Sequence, residues 1–276
     1  MATIGMSTLS FGPDCEIEGA IDFAIEHGFK ALELSSYHLW PARLRVQDVR
    51  SLRVHGATHG IEYSIHFIHR GVAPCSHDTG KRAKHLDELT ATMHLAHEIG
   101  ARVVVLHPGL VDHPDVVPEE SAEPLRQEAI AHFGEFLRSA TPVAEETGTV
   151  ICVENLFHKP GYVIQTYQEL VDTVKRIDSP LVKITLDTGH ARLSGGLVDA
   201  YQAFGPFLRH IHIHDSDAVR DHLEIGVGNE DWLEHVSALR EYPFTITMEV
   251  VNDADPEGCV LRSSQALHTL LAGDVL

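Results

Sequence analysis

Short apolar segments rich in β-branched residues alternate with longer helix-like segments along the whole sequence, and this repeat constrains the fold more than any other feature. Apolar segments of this kind are typical of strands that are buried on both faces of a parallel sheet. We predict eight such strands, at residues 2–9, 31–35, 62–66, 102–107, 150–154, 182–187, 208–214 and 244–250. Strands that alternate with helices build a parallel α/β sheet.

Eight helices are predicted, at residues 16–27, 46–59, 80–99, 121–147, 166–177, 197–204, 231–240 and 256–271. Glycine follows each of the first four, where a left-handed residue closes a helix. Eight strand–helix units in 276 residues match one α/β (β/α)8 TIM barrel, which needs about 250 residues. An open doubly wound sheet is the alternative, but the sequence lacks a G-x-G-x-x-G motif after the first strand. We therefore predict a single barrel domain over residues 1–276.

The composition argues against nucleic-acid and membrane partners. Acidic residues outnumber basic ones by 40 to 21, and the net charge of −19 repels phosphate backbones. No apolar stretch approaches the roughly 18 residues of a membrane span, and the first residues lack a signal-peptide pattern. The four cysteines are far apart and suggest neither a disulfide framework nor a thiolate zinc site. We expect a cytoplasmic protein, either a monomer or a homodimer.

Potential metal ligands stand at the ends of six predicted strands or just after them. The carboxyl ends of all strands in a closed parallel barrel meet at one mouth, so we expect these side chains to converge. Histidines and carboxylates around one point form a divalent-metal site, and a bound cation removes the cost of burying the carboxylates. The set comprises His66, His107, Glu154, Asp187, His190, His212 and Glu249.

Alternation within each strand predicts which side chains face the barrel interior. In the seventh strand His210, His212 and His214 share one side, opposite Ile211 and Ile213. We expect the histidines inside the barrel and the isoleucines against the helices. His210 is expected to be a hydrogen-bonded core residue, and His214 is a candidate for orienting a metal ligand.

Six segments resemble the xylose isomerase-like TIM barrel superfamily, which includes sugar phosphate isomerases and epimerases and endonuclease IV. They are LHPG (106–109), ENL (154–156), LDTGHA (186–191), HIHDS (212–216), DHLEIGVGNEDW (221–232) and MEV (248–250). They occur in the order found in the family and run from residue 106 to residue 250. The resemblance implies a metal site at the carboxyl ends of the strands.

The resemblance also implies roles for individual residues. One catalytic metal would be held by Glu154, Asp187, His212 and Glu249. In epimerase-like members, the positions of Glu154 and Glu249 act as acid and base on opposite faces of a keto sugar. The position of His190 there contacts a substrate oxygen.

Endonuclease IV-like members bind further metals, and the resemblance extends to those positions. His66 and His107 match residues that bind a second metal, which shares the glutamate at the position of Glu154. His190 and His222 match residues that bind a third metal together with an aspartate. The family has Asp-x-His at that point, whereas here Asp221 stands directly before His222. The aspartate is therefore displaced by one residue.

Two enzymatic functions are compatible with such a site. An isomerase or epimerase would act on a keto sugar, sugar phosphate or related polyol through an enediolate, with two glutamates as acid and base. A multi-metal phosphoesterase of the endonuclease IV type, either an abasic-site nuclease or a small-molecule phosphatase, would generate hydroxide between paired metals. The acidic composition favours the first function. A barrel that only binds a ligand at its mouth is the third hypothesis.

Further candidates concern the substrate and the metal. Trp40 follows the second strand and either stacks on a sugar ring or packs its own loop. Arg220 is a candidate for binding a substrate phosphate or carboxylate, with Asp221 and His190 as further substrate-binding candidates. The nitrogen and oxygen ligands are compatible with Mn, Zn, Co or Mg, at one to three ions per chain.

Overall fold

The computed structural model describes residues 2–71, 73–112, 119–217 and 219–273, within which eight parallel strands form a closed barrel. The strands are β1 (Thr3–Ser7), β2 (Ala31–Ser35), β3 (Glu62–His66), β4 (Val103–Leu106), β5 (Val150–Glu154), β6 (Val182–Asp187), β7 (Leu208–Ile213) and β8 (Thr245–Met248). Each strand pairs with the next along the chain, and β8 pairs with β1, where Thr245 lies opposite Thr3. The predicted (β/α)8 barrel is confirmed.

The described residues form nine α-helices, one more than predicted. They are α1 (Ile17–Glu26), α2 (Val46–His59), α3 (Thr79–Ile99), α4 (Glu119–Thr147), α5 (Tyr167–Ile177), α6 (Thr188–Arg192), α7 (Leu197–Phe204), α8 (Trp232–Glu241) and α9 (Pro256–Ala272). The unpredicted α6 has only 5 residues, too few to show a helical repeat in the sequence. It begins where the Asp187 carboxylate accepts a hydrogen bond from the His190 backbone N–H, at 2.7 Å. None of these helices combines the length and apolarity that a bilayer crossing requires.

The strands present an apolar face to the helices and a largely polar face to the barrel interior. Leu32 and Leu34 are fully buried in the large apolar core between strands and helices. Inside the barrel, the apolar cluster of the described residues is small and consists of Val103, Val105 and Cys152. Most of the barrel interior is therefore available to polar groups.

Strand β7 shows this division most clearly. Ile211 and Ile213 belong to the apolar core that faces the helices. His210 and His212 are fully buried on the other side, where both contact the carboxylate of Glu33 on β2. The alternation predicted for this strand therefore matches the structure.

Strands β1 and β2 approach each other closely at Gly5, which pairs with Ala31. A Cβ atom on Gly5 would lie 2.7 Å from the Ala31 Cβ and 2.8 Å from the Ala31 carbonyl oxygen. Such contacts are shorter than van der Waals packing permits, and part of the obstruction is backbone. Glycine at this position therefore allows the barrel to close without distortion.

We predict that Gly5→Ala destabilises the protein by about 1–3 kcal/mol, the usual cost of overpacking a filled core. Gly19→Ala on the exposed face of α1 is the matched control, because an added Cβ meets nothing within 4 Å there. That control is expected to leave stability unchanged or raise it, since alanine favours helix. Urea unfolding followed by circular dichroism measures both, and equal stability of Gly5→Ala and the unsubstituted protein would refute the close approach.

Candidate metal centre

Three carboxylates of the predicted ligand set converge around one ring nitrogen of His212 at the carboxyl ends of the strands. The Nδ1 atom of His212 lies 3.0 Å from Oε2 of Glu249, 3.4 Å from Oε1 of Glu154 and 3.9 Å from Oδ2 of Asp187. Glu154 and Asp187 end β5 and β6, and Glu249 directly follows β8. All four residues are buried. The parallel strands therefore bring together residues that are up to 95 positions apart in the sequence (249 − 154).

The burial of three carboxylates in this centre requires compensating positive charge. Burial by itself raises the pKa of Glu154, but the neighbouring His107 and His212 lower it well below its ordinary value. Burial acts in the same direction on Glu249, but His212, His222 and His66 together outweigh burial, so that the pKa of Glu249 is also lowered. Both carboxyl groups are therefore held as anions, the form that binds a cation.

The donor atoms fit a divalent cation. Both ring nitrogens of His212 are buried and have no hydrogen-bond partner among the described residues, although Nδ1 faces the carboxylates of the centre and Nε2 faces Glu33. One donor atom each from His66, Glu154, His212 and Glu249 lies within 4.8 Å of the other three. A mixed set of imidazole nitrogens and carboxylate oxygens suits Mn, Zn, Co or Mg.

Glu33 supports this centre from below and was not singled out by the sequence analysis. Its Oε1 lies 3.0 Å from Nε2 of His212, and its Oε2 accepts a hydrogen bond from Ser64 Oγ at 3.1 Å. A carboxylate at Nε2 keeps the proton on that nitrogen, which leaves the lone pair of Nδ1 free to bind metal. The signal was present in the sequence, because ALELS carries a single charged residue in an otherwise apolar buried strand.

Asp187 is oriented by His214, which the sequence analysis considered for this purpose. Nε2 of His214 lies 2.9 Å from Oδ2 of Asp187, and its Nδ1 accepts a hydrogen bond from the His222 backbone N–H at 2.8 Å. The accepting Nδ1 places the ring proton on Nε2, so His214 donates to the carboxylate. Gly189 makes room for this ring, since a Cβ there would collide with His214. A larger residue at this position of the LDTGHA segment would therefore clash with His214.

His66 and His107 approach one carboxylate oxygen of Glu154, and His212 approaches the other. Nε2 of His107 lies 2.9 Å from Oε2 of Glu154, and Nε2 of His66 lies 3.4 Å from the same oxygen. His66 donates from Nδ1 to the Phe67 carbonyl oxygen at 2.9 Å. His69, which the sequence analysis did not single out, brings a third imidazole within 4.8 Å of these two.

His190, Asp221 and His222 form a further group of donors that lie within 4.8 Å of one another. Oδ2 of Asp221 is 3.6 Å from Nε2 of His190 and 4.0 Å from Nε2 of His222. The one-residue displacement of this aspartate from the family pattern therefore does not separate it from the two histidines. His190 also donates from Nδ1 to the Asn155 carbonyl oxygen at 3.0 Å.

Two predicted substrate-binding residues make other contacts. The guanidinium of Arg220 pairs with Asp217 at 2.8 Å, and its side chain is 68% exposed. Trp40 is partly buried and packs against the apolar core. Of the two neighbours Arg220 and Asp221, it is Asp221 that contacts the histidines of the centre.

Comparisons with known proteins agree with this architecture. A D-psicose 3-epimerase of Enterocloster bolteae aligns with this chain at 35% identity over 106 residues, which is 38% of this chain and 34% of that enzyme. A solved D-tagatose 3-epimerase-like protein superimposes with a TM-score of 0.81, at 24% identity, over 98% of this chain and 97% of its own. The IOLI protein, solved with a bound zinc atom, has a TM-score of 0.80 at 17% identity over 99% of each chain.

These structural similarities show a shared fold, and the family follows from the sequence. The family model described as the xylose isomerase-like TIM barrel matches residues 21–269. That range covers seven of the eight strands and extends into the last helix. The chain therefore belongs to the xylose isomerase-like TIM barrel family.

Proposed function

We propose that this protein is a divalent-metal-dependent isomerase or epimerase that acts on a keto sugar or a related polyol. The observation that carries the proposal is the convergence of Glu154, Asp187 and Glu249 on Nδ1 of His212. The partial alignment with a sugar epimerase and the zinc atom of a protein with the same fold support the substrate class and the cation.

The two glutamates are suited to move a proton at the carbon next to a carbonyl. A divalent cation in this centre would supply the positive charge that acidifies that carbon. Glu154 and Glu249 both have lowered pKa values, so each starts as a carboxylate that accepts a proton. The glutamate on one face accepts the proton from carbon and becomes a carboxylic acid, while the glutamate on the opposite face delivers to that carbon a proton that it has taken up from water. The first glutamate then returns its proton to water, which restores both carboxylates.

His190 is the histidine placed to contact a substrate oxygen. His190 approaches Oε1 of Glu154 with its Nδ1 at 3.5 Å, while its Nε2 points towards Asp221. Its Nδ1 proton is donated to a backbone carbonyl, so Nε2 is the nitrogen that meets a substrate oxygen. Phe157 packs against this imidazole with ring centroids 4.5 Å apart and excludes water from one side.

We predict that Glu154→Gln and Glu249→Gln each lower turnover by about 10²–10⁴-fold, the usual contribution of a general acid or base. The measurement is deuterium uptake from D2O at the carbon next to the carbonyl, across a panel of keto sugars. Glu145→Gln on the exposed surface of α4 is the control and should keep full activity. Full activity in either centre variant would show that the glutamates do not transfer the proton.

A second candidate function is a multi-metal phosphoesterase. Two further donor groups favour it, one formed by His66, His69 and His107 and the other by His190, Asp221 and His222. Metal analysis separates the functions, because an epimerase requires one cation per chain and the phosphoesterase close to three. Nicking of abasic-site DNA, or phosphatase turnover at the higher metal content, would identify the second function.

We predict that the first cation binds more tightly as the pH rises from 6 to 9. Burial lowers the pKa of His212, but the carboxylates of Glu33, Glu249 and Glu154 outweigh burial and raise it well above its ordinary value. A histidine must lose its proton before it binds metal, so protonation competes with the cation at lower pH. Each displaced proton corresponds to about a tenfold change in affinity per pH unit. Calorimetric titration of the chelator-treated protein with Mn²⁺ between pH 6 and pH 9 tests this, and a pH-independent affinity would contradict it.

We predict that Glu33→Gln weakens Mn²⁺ binding by about 10–100-fold, as is usual when the partner of a metal-binding histidine is lost. The substitution keeps the shape of the side chain but removes the charge that holds the proton on Nε2 of His212. Ser64→Ala is the control, because it removes one hydrogen bond to Glu33 and leaves the carboxylate in place. An unchanged dissociation constant for Glu33→Gln would rule out the orienting role.

A further inference from the structure

A cavity lies at the opposite end of the barrel from the metal centre. It has a volume of ≈ 500 Å³ and is lined by residues at or near the amino ends of four strands, namely Thr3, Glu62, Val103 and Thr245. The metal centre lies at the carboxyl ends of the strands. This volume falls within the range of small-molecule sites, about 300–1,000 Å³.

Three arginines line this cavity, although the protein is strongly acidic. They are Arg53 on α2, Arg102 directly before β4 and Arg209 on β7. None of the ion pairs formed by the described residues involves these three side chains. Three such side chains around one cavity create a local positive field in a negative molecule.

Arg209 is held in place by an aromatic ring. Its guanidinium carbon lies 4.0 Å from the ring centroid of Phe244, which also lines the cavity. Stacking of this kind leaves the edge of the guanidinium free to donate hydrogen bonds. The cavity contains one carboxylate, the exposed Glu62, which sets a limit to the anionic charge it accepts.

Two residues that line the cavity each carry a buried polar atom that lacks a hydrogen-bond partner in the described part of the chain. Nδ1 of His210 and Oη of Tyr63 have no hydrogen-bond partner among the described residues. His210 is 0% exposed and Tyr63 is 4% exposed, and both line the cavity. Nε2 of His210 already faces Glu33 at 3.0 Å, which leaves Nδ1 for another group. Buried polar atoms of this kind normally find a partner in protein, water or a ligand.

We propose that this cavity binds a phosphate group, either free or carried by a small metabolite. The planar guanidinium groups match phosphate oxygens in geometry and charge, and three of them can hold a dianion. If a metabolite carries the phosphate, the rest of the molecule would lie against the other lining residues, which include His210 and Tyr63. The site is independent of the metal centre and of the reaction proposed there.

Calorimetric titration of the metal-free protein at constant ionic strength tests this site. The probes are inorganic phosphate, a hexose 6-phosphate and the same hexose without phosphate. We expect both phosphates to bind and the plain hexose not to bind. Tighter binding of the hexose 6-phosphate would identify a phosphorylated metabolite as the ligand, and equal binding would identify free phosphate. Absence of binding for both phosphates would overturn the proposal.

Substitutions locate the bound phosphate. The double variant Arg53→Gln/Arg102→Gln is expected to weaken phosphate binding at least tenfold. Arg50→Gln is the matched control, because Arg50 is exposed on the same helix but does not line the cavity. Equal binding by the double variant and the unsubstituted protein would show that phosphate binds elsewhere. An equal loss in Arg50→Gln would show that only net charge matters, which also overturns the proposal.

Discussion

Pairing of β8 with β1 closes the sheet, and the candidate centre depends on this closure because its contacts cross the barrel. Glu33 lies on β2 and His210 on β7, 177 residues apart, yet their side chains are 3.0 Å apart. The contact between Glu33 and Nε2 of His212 has the same length. In an open sheet these strands would lie far apart along the sheet. Closure therefore fixes both the position of His212 and the nitrogen that it turns towards the carboxylates.

The two ends of the barrel differ in the charged side chains that they carry. Carboxylates surround His212 at the carboxyl ends of the strands, and three arginines surround the cavity at the amino ends. The polar interior between them contains His210, Glu33 and Ser64, which are linked by hydrogen bonds. Buried polar groups are tolerated only when such partners are present, so each group here restrains the next. A cation at one end and an anion at the other match this distribution.

Much of the fold could be predicted from the sequence. Apolar runs indicate strands that are buried on both faces, and glycines indicate where helices end. The bounds of β2, β3, β5 and β6 match the prediction, whereas β1, β4, β7 and β8 are shorter than predicted. Helix α6 was missed because its start depends on a side-chain cap, not on periodicity.

The site was predictable to the extent that its residues stand at strand ends. The alternation of side chains along each strand and the parallel topology of the barrel are enough to predict that Glu154, Asp187, His212 and Glu249 meet. Glu33 lies at mid-strand, so its contact with His212 depends on barrel closure, which no local pattern encodes. The pairing of Arg220 with Asp217 likewise depends on loop geometry that the sequence does not specify.

The most direct measurement of the metal centre is anomalous diffraction from a crystal of the protein grown with Mn²⁺. The account predicts one strong peak coordinated directly, at about 2.0–2.3 Å, by oxygens of Glu154, Asp187 and Glu249 and by Nδ1 of His212. A fully occupied manganese ion elsewhere, with these four side chains uncoordinated, would contradict it.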